Sequence, residues 1–425
     1  MDAELRNAAA LADISCMDYL LKQIKKIEKE TGIRRTIFAA CPNSITVIRA
    51  ALKSAKRNNS PVKFAATLNQ VDTDGGYTGL TQHEFVKTIR LQARNLNVKV
   101  PVIIAVDHGG PWLKDKHSRE KWSYSESMNA VKKSFEASID AGYDLLHVDP
   151  TVDITLPKDS VISIDVVADR TVELITHAEN FRRKGGYPRI AYEVGTEEVH
   201  GGLADLGIFR RFLEKLKHGL SENGLDDVWP CFVVGKVGTD LHTTIFDPAV
   251  ASELVHIASE YGSLIKGHYS DNVSNPEEYP ASGMGAANIG PEFTEMEYEA
   301  LCELEDLQTT LDKEGKVGKP ANILVTLQNA VIRSGRWKKW LHDGENPDDF
   351  FANSPERRDW LIRTCCRYIW EDTEVLAERA KLYHNLSMQG IEADAIVESK
   401  IESAMDRYFC KFNLTGLNYL LKELI

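Results

Sequence analysis

The stretch PVIIAVDHGGP (101–111) is a short apolar, β-branched run that stops at an Asp-His pair and a Gly-Gly-Pro turn. Its length, its β-branched content and its glycine stop read as a buried strand rather than a helix. The pattern recurs along the chain. TIFAAC (36–41), KFAATL (63–68), LLHV (145–148), RIAYEV (189–194), CFVVGKV (231–237), SLIKG (263–267) and GAANI (285–289) are bounded runs of the same kind. Between them apolar residues fall at helical spacing, as in SITVIRAALKSAK (44–56) and SMNAVKKSFEASIDAG (127–142). Consecutive starts lie roughly 20 to 45 residues apart, which is what a repeated strand-loop-helix unit needs. Eight such units predict a closed parallel (β/α)8 barrel over residues 1–300, with an N-terminal helix ahead of it.

The ends of these runs support closure. Nearly every run is apolar and then meets polar residues: Asn69-Gln70, Asp107-His108, Asp149, Glu197-Glu198, Asp240 with His242, His268 with Asp271, and Asn288. A barrel collects its chemistry at the carboxyl ends of many strands. An open doubly wound sheet would concentrate it at one switch point.

From about residue 301 to 425 the chain turns helical and charged, with aromatic clusters in RWKKWL (336–341) and DWLIRTCCRYIW (359–370). This reads as a helical extension packed on the barrel or on a partner, either a second copy or another subunit. Trp337, Trp340, Trp360 and Trp370 are expected in a core or an interface rather than stacked on a ligand.

Composition removes some classes of function. With 43% hydrophobic and 27% charged residues the chain is globular, and its net charge of −12 comes without a basic block. Nucleic acid and anionic membrane are therefore not the expected partners. No stretch approaches the roughly 20 apolar residues of a membrane span, and MDAELRNAAALADISC at the N-terminus lacks a signal-peptide pattern. The seven cysteines show no CxxC spacing, Cys365 and Cys366 being merely adjacent. Reduced thiols in a cytoplasm are expected.

Three of the twelve histidines, His108, His242 and His268, fall just past the third, sixth and seventh runs. Imidazoles converging on a barrel mouth suit one divalent ion, Zn2+ first, with Mn2+, Ni2+ and Co2+ as the other choices. His200 lies beyond its strand and reads as a loop residue, and His147, inside a run, reads as a packed core histidine. Neighbours in a strand face opposite ways, so Asp107 and His108 share a site only if the strand ends there. Asp107 could then accept a proton beside the metal or only orient a ligand. Glu197 is a second candidate acid or base, whereas Glu198 reads as a solvated rim charge. Asn69, Gln70 and Asn288 offer neutral groups suited to sugar hydroxyls. VDTDGGYTG (71–79) reads as a turn long enough to cover a site, and Lys236 as a buried, paired lysine, with Schiff-base chemistry the minor reading. No GxxxxGK[ST] loop is present, and GMGAANIG (283–290) lacks dinucleotide spacing, so neither a P-loop nor a nicotinamide site is expected.

Taken in order, NQVDTDGGYTG (69–79), AVDHGGP (105–111), LLHVDPT (145–151), YEVGTE (192–197), GTDLH (238–242), GHYSD (267–271) and ANIGPEFT (287–294) resemble the tagatose-bisphosphate aldolase non-catalytic subunit family. That family is related to class II metal-dependent aldolases and includes tagatose and tagaturonate epimerases. The likeness extends to RYIW (367–370) and YHNL (383–386). It implies that Asp107 is catalytic, that His108, His242 and His268 bind the metal, and that Asp149 and Asn288 bind substrate. Where the bisphosphate aldolases carry a glycine-rich phosphate loop, this chain has HYSDN (268–272) and NIGPE (288–292), so the phosphate cradle is missing. An unphosphorylated ketose follows as the expected substrate, with C4 epimerisation by retro-aldol and aldol steps as the reaction. Asp271 is the candidate partner for the opposite face. The alternative is a non-catalytic subunit that stabilises a separate aldolase.

Overall fold

The computed structural model describes residues 1–157, 160–195, 205–239 and 244–425. The chain opens with α1 (Asp2–Leu11) and α2 (Cys16–Thr31) and then enters β1 (Ile37–Ala40), α3 (Ile45–Asn58), β2 (Val62–Thr67), α4 (Gln82–Asn95) and β3 (Val102–Asp107). It continues through α5 (Asp115–Arg119), α6 (Tyr124–Ala141), β4 (Leu145–Val148), α7 (Ile164–Gly185), β5 (Ala191–Gly195), α8 (Leu206–Glu222) and β6 (Phe232–Val234). The barrel ends with α9 (Pro248–Glu260), β7 (Leu264–Gly267), α10 (Glu278–Ser282), β8 (Ala286–Ile289) and α11 (Pro291–Lys313). Helices α12 (Ile323–Ser334), α13 (Pro355–Cys365), α14 (Thr373–Ser387), α15 (Ala393–Lys411) and α16 (Leu417–Lys422) follow.

The eight strands pair in chain order and close β8 onto β1, all parallel. This is the (β/α)8 barrel expected from the recurring runs. The run expected over 231–237 is cut to Phe232–Val234. At Gly235 a Cβ would stand 2.8 Å from Leu254 Cδ1, so α9 lies close against the chain where the strand stops. The boundary expected at residue 300 falls inside α11, which carries the chain out of the barrel without a linker.

Local sequence explains the helices. Helix α2 buries Met17, Leu20, Ile24 and Ile27, one face at helical spacing. Ser15 caps its start and Gly32, at φ 70°, ends it. Helix α6 has a full capping box from Ser123 and Glu126. The amino ends of the strands are held by α1: Asp2 accepts from Val102 N–H at 3.0 Å, and Arg6 pairs with Asp144 at 2.5 Å.

The extension is part of the same core. Phe38 of β1 stacks on Tyr408 at 6.0 Å and meets Phe409 edge-on at 5.0 Å, both from α15. The Tyr408 hydroxyl is shared between Glu292 and the Ser270 carbonyl, the latter at 3.1 Å. Outside this contact, Arg49 and Arg57 of α3 pair with Glu398 and Glu402 of α15. Trp337 and Trp370 are buried, as the sequence led one to expect, and Trp340 and Trp360 are half-buried. Among the described residues no helix is long and apolar enough to cross a membrane.

Tyr408→Phe removes the donor that satisfies Glu292 and Ser270 without leaving a cavity. We expect it to lower stability by about 1–3 kcal/mol, read as a lower guanidinium midpoint with an unchanged slope.

Candidate functional site

Strand β3 ends at Asp107, and His108 takes a left-handed backbone at φ 47°. That turn lets consecutive side chains face the same space, which a continuing strand forbids. Gly109 then pairs with β4, donating to the His147 carbonyl at 2.9 Å and accepting from Asp149 N–H at 3.0 Å. Gly110 passes so close to this strand that a Cβ would lie 1.8 Å from the Asp149 carbonyl oxygen. The two glycines are therefore what allows the loop to cross the end of β4.

Inside the mouth His108, His147 and His268 form a triangle of rings, with centroids 4.9, 4.3 and 5.2 Å apart. With Asp107 they offer ligand atoms that all lie within 4.8 Å of one another. Asp107 Oδ1 accepts from Asn288 Nδ2 at 2.9 Å and lies 3.5 Å from His268 Nε2 and 3.6 Å from Lys266 Nζ. Burial pushes Asp107 up, but the charges of His108 and Lys266 prevail and hold it well below the usual carboxylate range. Burial, with the charge of His108, pushes His268 down to about 3, so its imidazole is neutral.

Asp149, expected at the substrate, is turned to a histidine. Its Oδ2 lies 2.5 Å from His108 Nδ1, and its Oδ1 accepts from the Thr151 hydroxyl at 2.5 Å. A carboxylate on one ring nitrogen fixes the imidazole and frees the other nitrogen for a ligand. Asn69 and Gln70 are also occupied. Asn69 bridges the Leu113 carbonyl at 3.0 Å and Asp115 N–H at 2.9 Å. Gln70 accepts from Thr67 N–H at 2.8 Å and donates to the Pro42 carbonyl at 2.7 Å. The loop after them is a pinned turn, with Lys114 held by Asp72 at 2.5 Å and Asp74 at 2.7 Å. Asp271 Oδ1 accepts from Gly290 and Glu292 N–H, 2.9 Å each, at the start of α11. Burial pushes Asp271 up to about 7. Glu197, Glu198, His200, Asp240 and His242 lie outside the described residues.

Four residues at this site were missed by reading only the ends of the runs. His147 is fully buried, as a packed histidine would be, yet its ring belongs to the triangle. Glu193 of β5 receives Lys266 at 2.5 Å and Lys63 at 3.2 Å, all three with no exposure. Burial raises Glu193, but the two lysines outweigh it and hold the carboxyl far below its usual range. The lysines buried inside the barrel are thus Lys63 and Lys266, while Lys236 is half-buried just past β6. The signal was a single charged residue inside each of several apolar runs. Register neighbours share a face, so His147 opposite Glu193 points inward with it.

The donor set fits a divalent ion. His147 Nε2, His268 Nε2 and Asn288 Oδ1 are buried without a hydrogen-bond partner among the described residues. Such groups each cost about 1–3 kcal/mol if left so, and three together mark a place for a ligand. The histidines are not equivalent. His147 Nδ1 is engaged on the inner side, 3.0 Å from the His108 backbone N and 3.3 Å from both Asp107 Oδ1 and Glu193 Oε1, which leaves Nε2 as its open nitrogen. His108 is instead held at Nδ1 by Asp149, which leaves its Nε2 as the nitrogen that can turn to a ligand.

The histidines and the carboxylate stand at the carboxyl end of an eight-stranded parallel barrel, the end at which enzymes of this fold carry their active sites. A family model, D-tagatose-1,6-bisphosphate aldolase subunit GatZ/KbaZ-like, matches residues 21–407, and the chain belongs to that family. Its backbone is similar to that of a probable tagatose 6 phosphate kinase from Sinorhizobium meliloti 1021, with 21% identity and a TM-score of 0.74 over 89% of this chain and 100% of that one. It is also similar to fructose-bisphosphate aldolase from Campylobacter jejuni, with 12% identity and a TM-score of 0.54 over 94% and 95% of the two chains. At these identities the two structures speak for the fold alone.

Two outcomes test the site. In zinc-loaded protein, His268→Ala should lose most of the bound metal, measured by atomic emission. Full zinc occupancy in that variant would remove His268 from the ligand set. Asp271, with its raised pKa, binds a proton in the folded state that the unfolded chain releases above about pH 4. Stability should therefore fall as pH rises through that window and level off above pH 7. The melting-temperature difference between Asp271→Asn and the parent should shift by a few degrees in favour of the variant from pH 5 to pH 8.

Proposed function

We propose that the protein is a divalent-metal-dependent ketose epimerase that inverts C4 of an unphosphorylated sugar, tagatose to fructose in type, by breaking and remaking the C3–C4 bond. The observation that carries this reading is the cluster of three buried, unpartnered polar atoms on His147, His268 and Asn288 beside an ionised Asp107. Membership of an aldolase-related family adds the chemistry of carbon–carbon bond cleavage. His108 and His268 would hold the ion, with His242 as the third proposed ligand. Zn2+ is the proposed metal. When bound, the ion supplies a Lewis acid at the ketose carbonyl.

The side chains supply the rest. Asp107, or Glu197, takes the proton of the C4 hydroxyl as the C3–C4 electron pair moves toward the carbonyl. His147 Nε2 and Asn288 Oδ1, both buried and without a partner among the described residues, take substrate hydroxyls. Glu193, neutralised by two lysines, is unsuited to accept a proton and instead shapes the electrostatics around Asp107. Return of the electron pair to the other face of the new aldehyde inverts C4. A C4–H abstraction cannot use the carbonyl at C2, because C4 is not adjacent to it.

The second reading is a subunit that stabilises a separate aldolase polypeptide, which the family description favours. Assay of the purified, zinc-loaded chain alone on a panel of free ketoses and keturonates separates the two. For the epimerase, a ketose deuterated at C4 and turned over in ordinary water should keep its label, because the C4–H bond is never broken. Loss of deuterium to solvent would end the bond-cleavage mechanism. Asp107→Asn should lower kcat by roughly 10²- to 10⁴-fold with the metal retained.

A further inference from the structure

The C-terminal extension brings a charged group to the same end of the barrel. Arg367 lies in the turn Cys366–Tyr368 after α13 and is only 7% exposed. Its Nε and Nη2 have no hydrogen-bond partner among the described residues. Those two nitrogens form one edge of the guanidinium, the edge that grips a carboxylate or phosphate with two parallel hydrogen bonds. The flat faces are covered, the Trp340 ring centroid lying 4.6 Å and the Tyr368 centroid 5.0 Å from Cζ.

Its surroundings tie it to the mouth. Tyr368 meets Tyr77 edge-on at 5.1 Å, and the Tyr77 hydroxyl donates to Asn43 Oδ1 at 2.7 Å in the loop after β1. Burial opposes the charge of Arg367, and the groups that come next in bearing on it are Tyr368, Tyr77, Cys365 and Tyr269, with no carboxylate among those four. Tyr269 follows His268 directly. A second guanidinium, Arg336, sits 4.3 Å over the same Tyr368 ring, but Asp115 neutralises it at 2.5 Å. One buried positive charge is left over. An unpaired buried charge is strongly unfavourable, and aromatic faces offset only part of that.

We infer that Arg367 is the anion-binding residue of this site, taking through Nε and Nη2 one carboxylate or phosphate at the end of the sugar remote from the ketone. The inference rests on the proposed site only for the placement of the ketone end. It replaces the neutral sugar of that reading with an acidic ketose carrying a single terminal anion, on which the same C4 chemistry runs, and it gives the extension a share in substrate recognition.

Calorimetric binding to the zinc-loaded full chain tests this with a neutral ketohexose, the corresponding keturonate and the corresponding 6-phosphate. We expect one of the acidic sugars to bind about 10- to 100-fold tighter than the neutral one, the range for a charge-assisted pair. In Arg367→Met that preference should fall toward one, and Arg367→Lys, which keeps the charge but not the fork, should restore only part of it. If Arg367→Met does not fold, the partial loss in Arg367→Lys is read alone. A keturonate preference identifies the anion as carboxylate. A 6-phosphate preference identifies it as phosphate, which keeps the role of Arg367 and removes the unphosphorylated substrate proposed above. Equal binding of all three sugars, or a preference unchanged in both variants, overturns the inference. Because binding is read, failure to epimerise any sugar would sink the proposed reaction and leave this result standing.

Discussion

Glu193 sits at the centre of the barrel with two lysines on it, and the interior is organised around that contact. Lys63 arrives from β2, Lys266 from β7, and Lys266 in turn stands 3.6 Å from Asp107 at the end of β3. Four strands thus meet in one network of two positive and two negative groups. Loss of one partner would leave a charge stranded in a space that water does not reach, which typically costs 3–5 kcal/mol. The network therefore fixes which residues of β2, β3, β5 and β7 stand at the same height. A one-residue slip of any of these strands would turn its charged residue outward. The position of Asp107, and with it the chemistry of the mouth, follows from this arrangement.

Much of this was legible before the structure. The period of strand and helix, the glycine stops and the polar residues at run ends specify a barrel, and they place Asp107, His108, His268 and Asn288 together. The Asp-His pair could also be read correctly, because Gly-Gly-Pro signals that the strand ends there. What could not be read is which way a polar side chain turns once it reaches the mouth. Asn69 and Gln70 have the chemistry of sugar ligands but spend it on the Leu113, Thr67 and Pro42 backbone. Asp149 stands after its strand as a substrate residue would, yet it orients His108. The opposite error was to treat a polar residue within a strand as packing. In a closed barrel the inward face is the floor of the site, so His147, Glu193 and Lys266 belong to it as fully as the loop residues do.

The extension changes the meaning of the mouth. In a bare barrel the βα loops alone would border the site. Here Tyr77 on the loop after β2 rests against Tyr368, and Asp115 after β3 is paired with Arg336 and Lys339. The rim is therefore built jointly by barrel loops and by residues more than 220 positions away in sequence. Folding of the extension and completion of the site are one event in this architecture. That also accounts for the absence of a linker between them: α11 begins on the barrel, where Asp271 holds its first N–H groups, and ends in the helical layer.

The crossing of Gly110 over β4 carries an implication for how such a site can diversify. With 1.8 Å between a would-be Cβ and the Asp149 carbonyl, no side chain can be introduced at that point to narrow or reshape the opening. Any enlargement there would displace Asp149 and, through it, the ring of His108. The wall on the side of β3 and β4 is thus frozen by its own backbone. Changes in sugar length or end group have to be accommodated elsewhere on the rim, where the contact between Tyr77 and Tyr368 is made by side chains rather than main chain. Variation among related proteins, and any laboratory selection for new sugars, should accumulate on that aromatic side and leave the glycine side untouched.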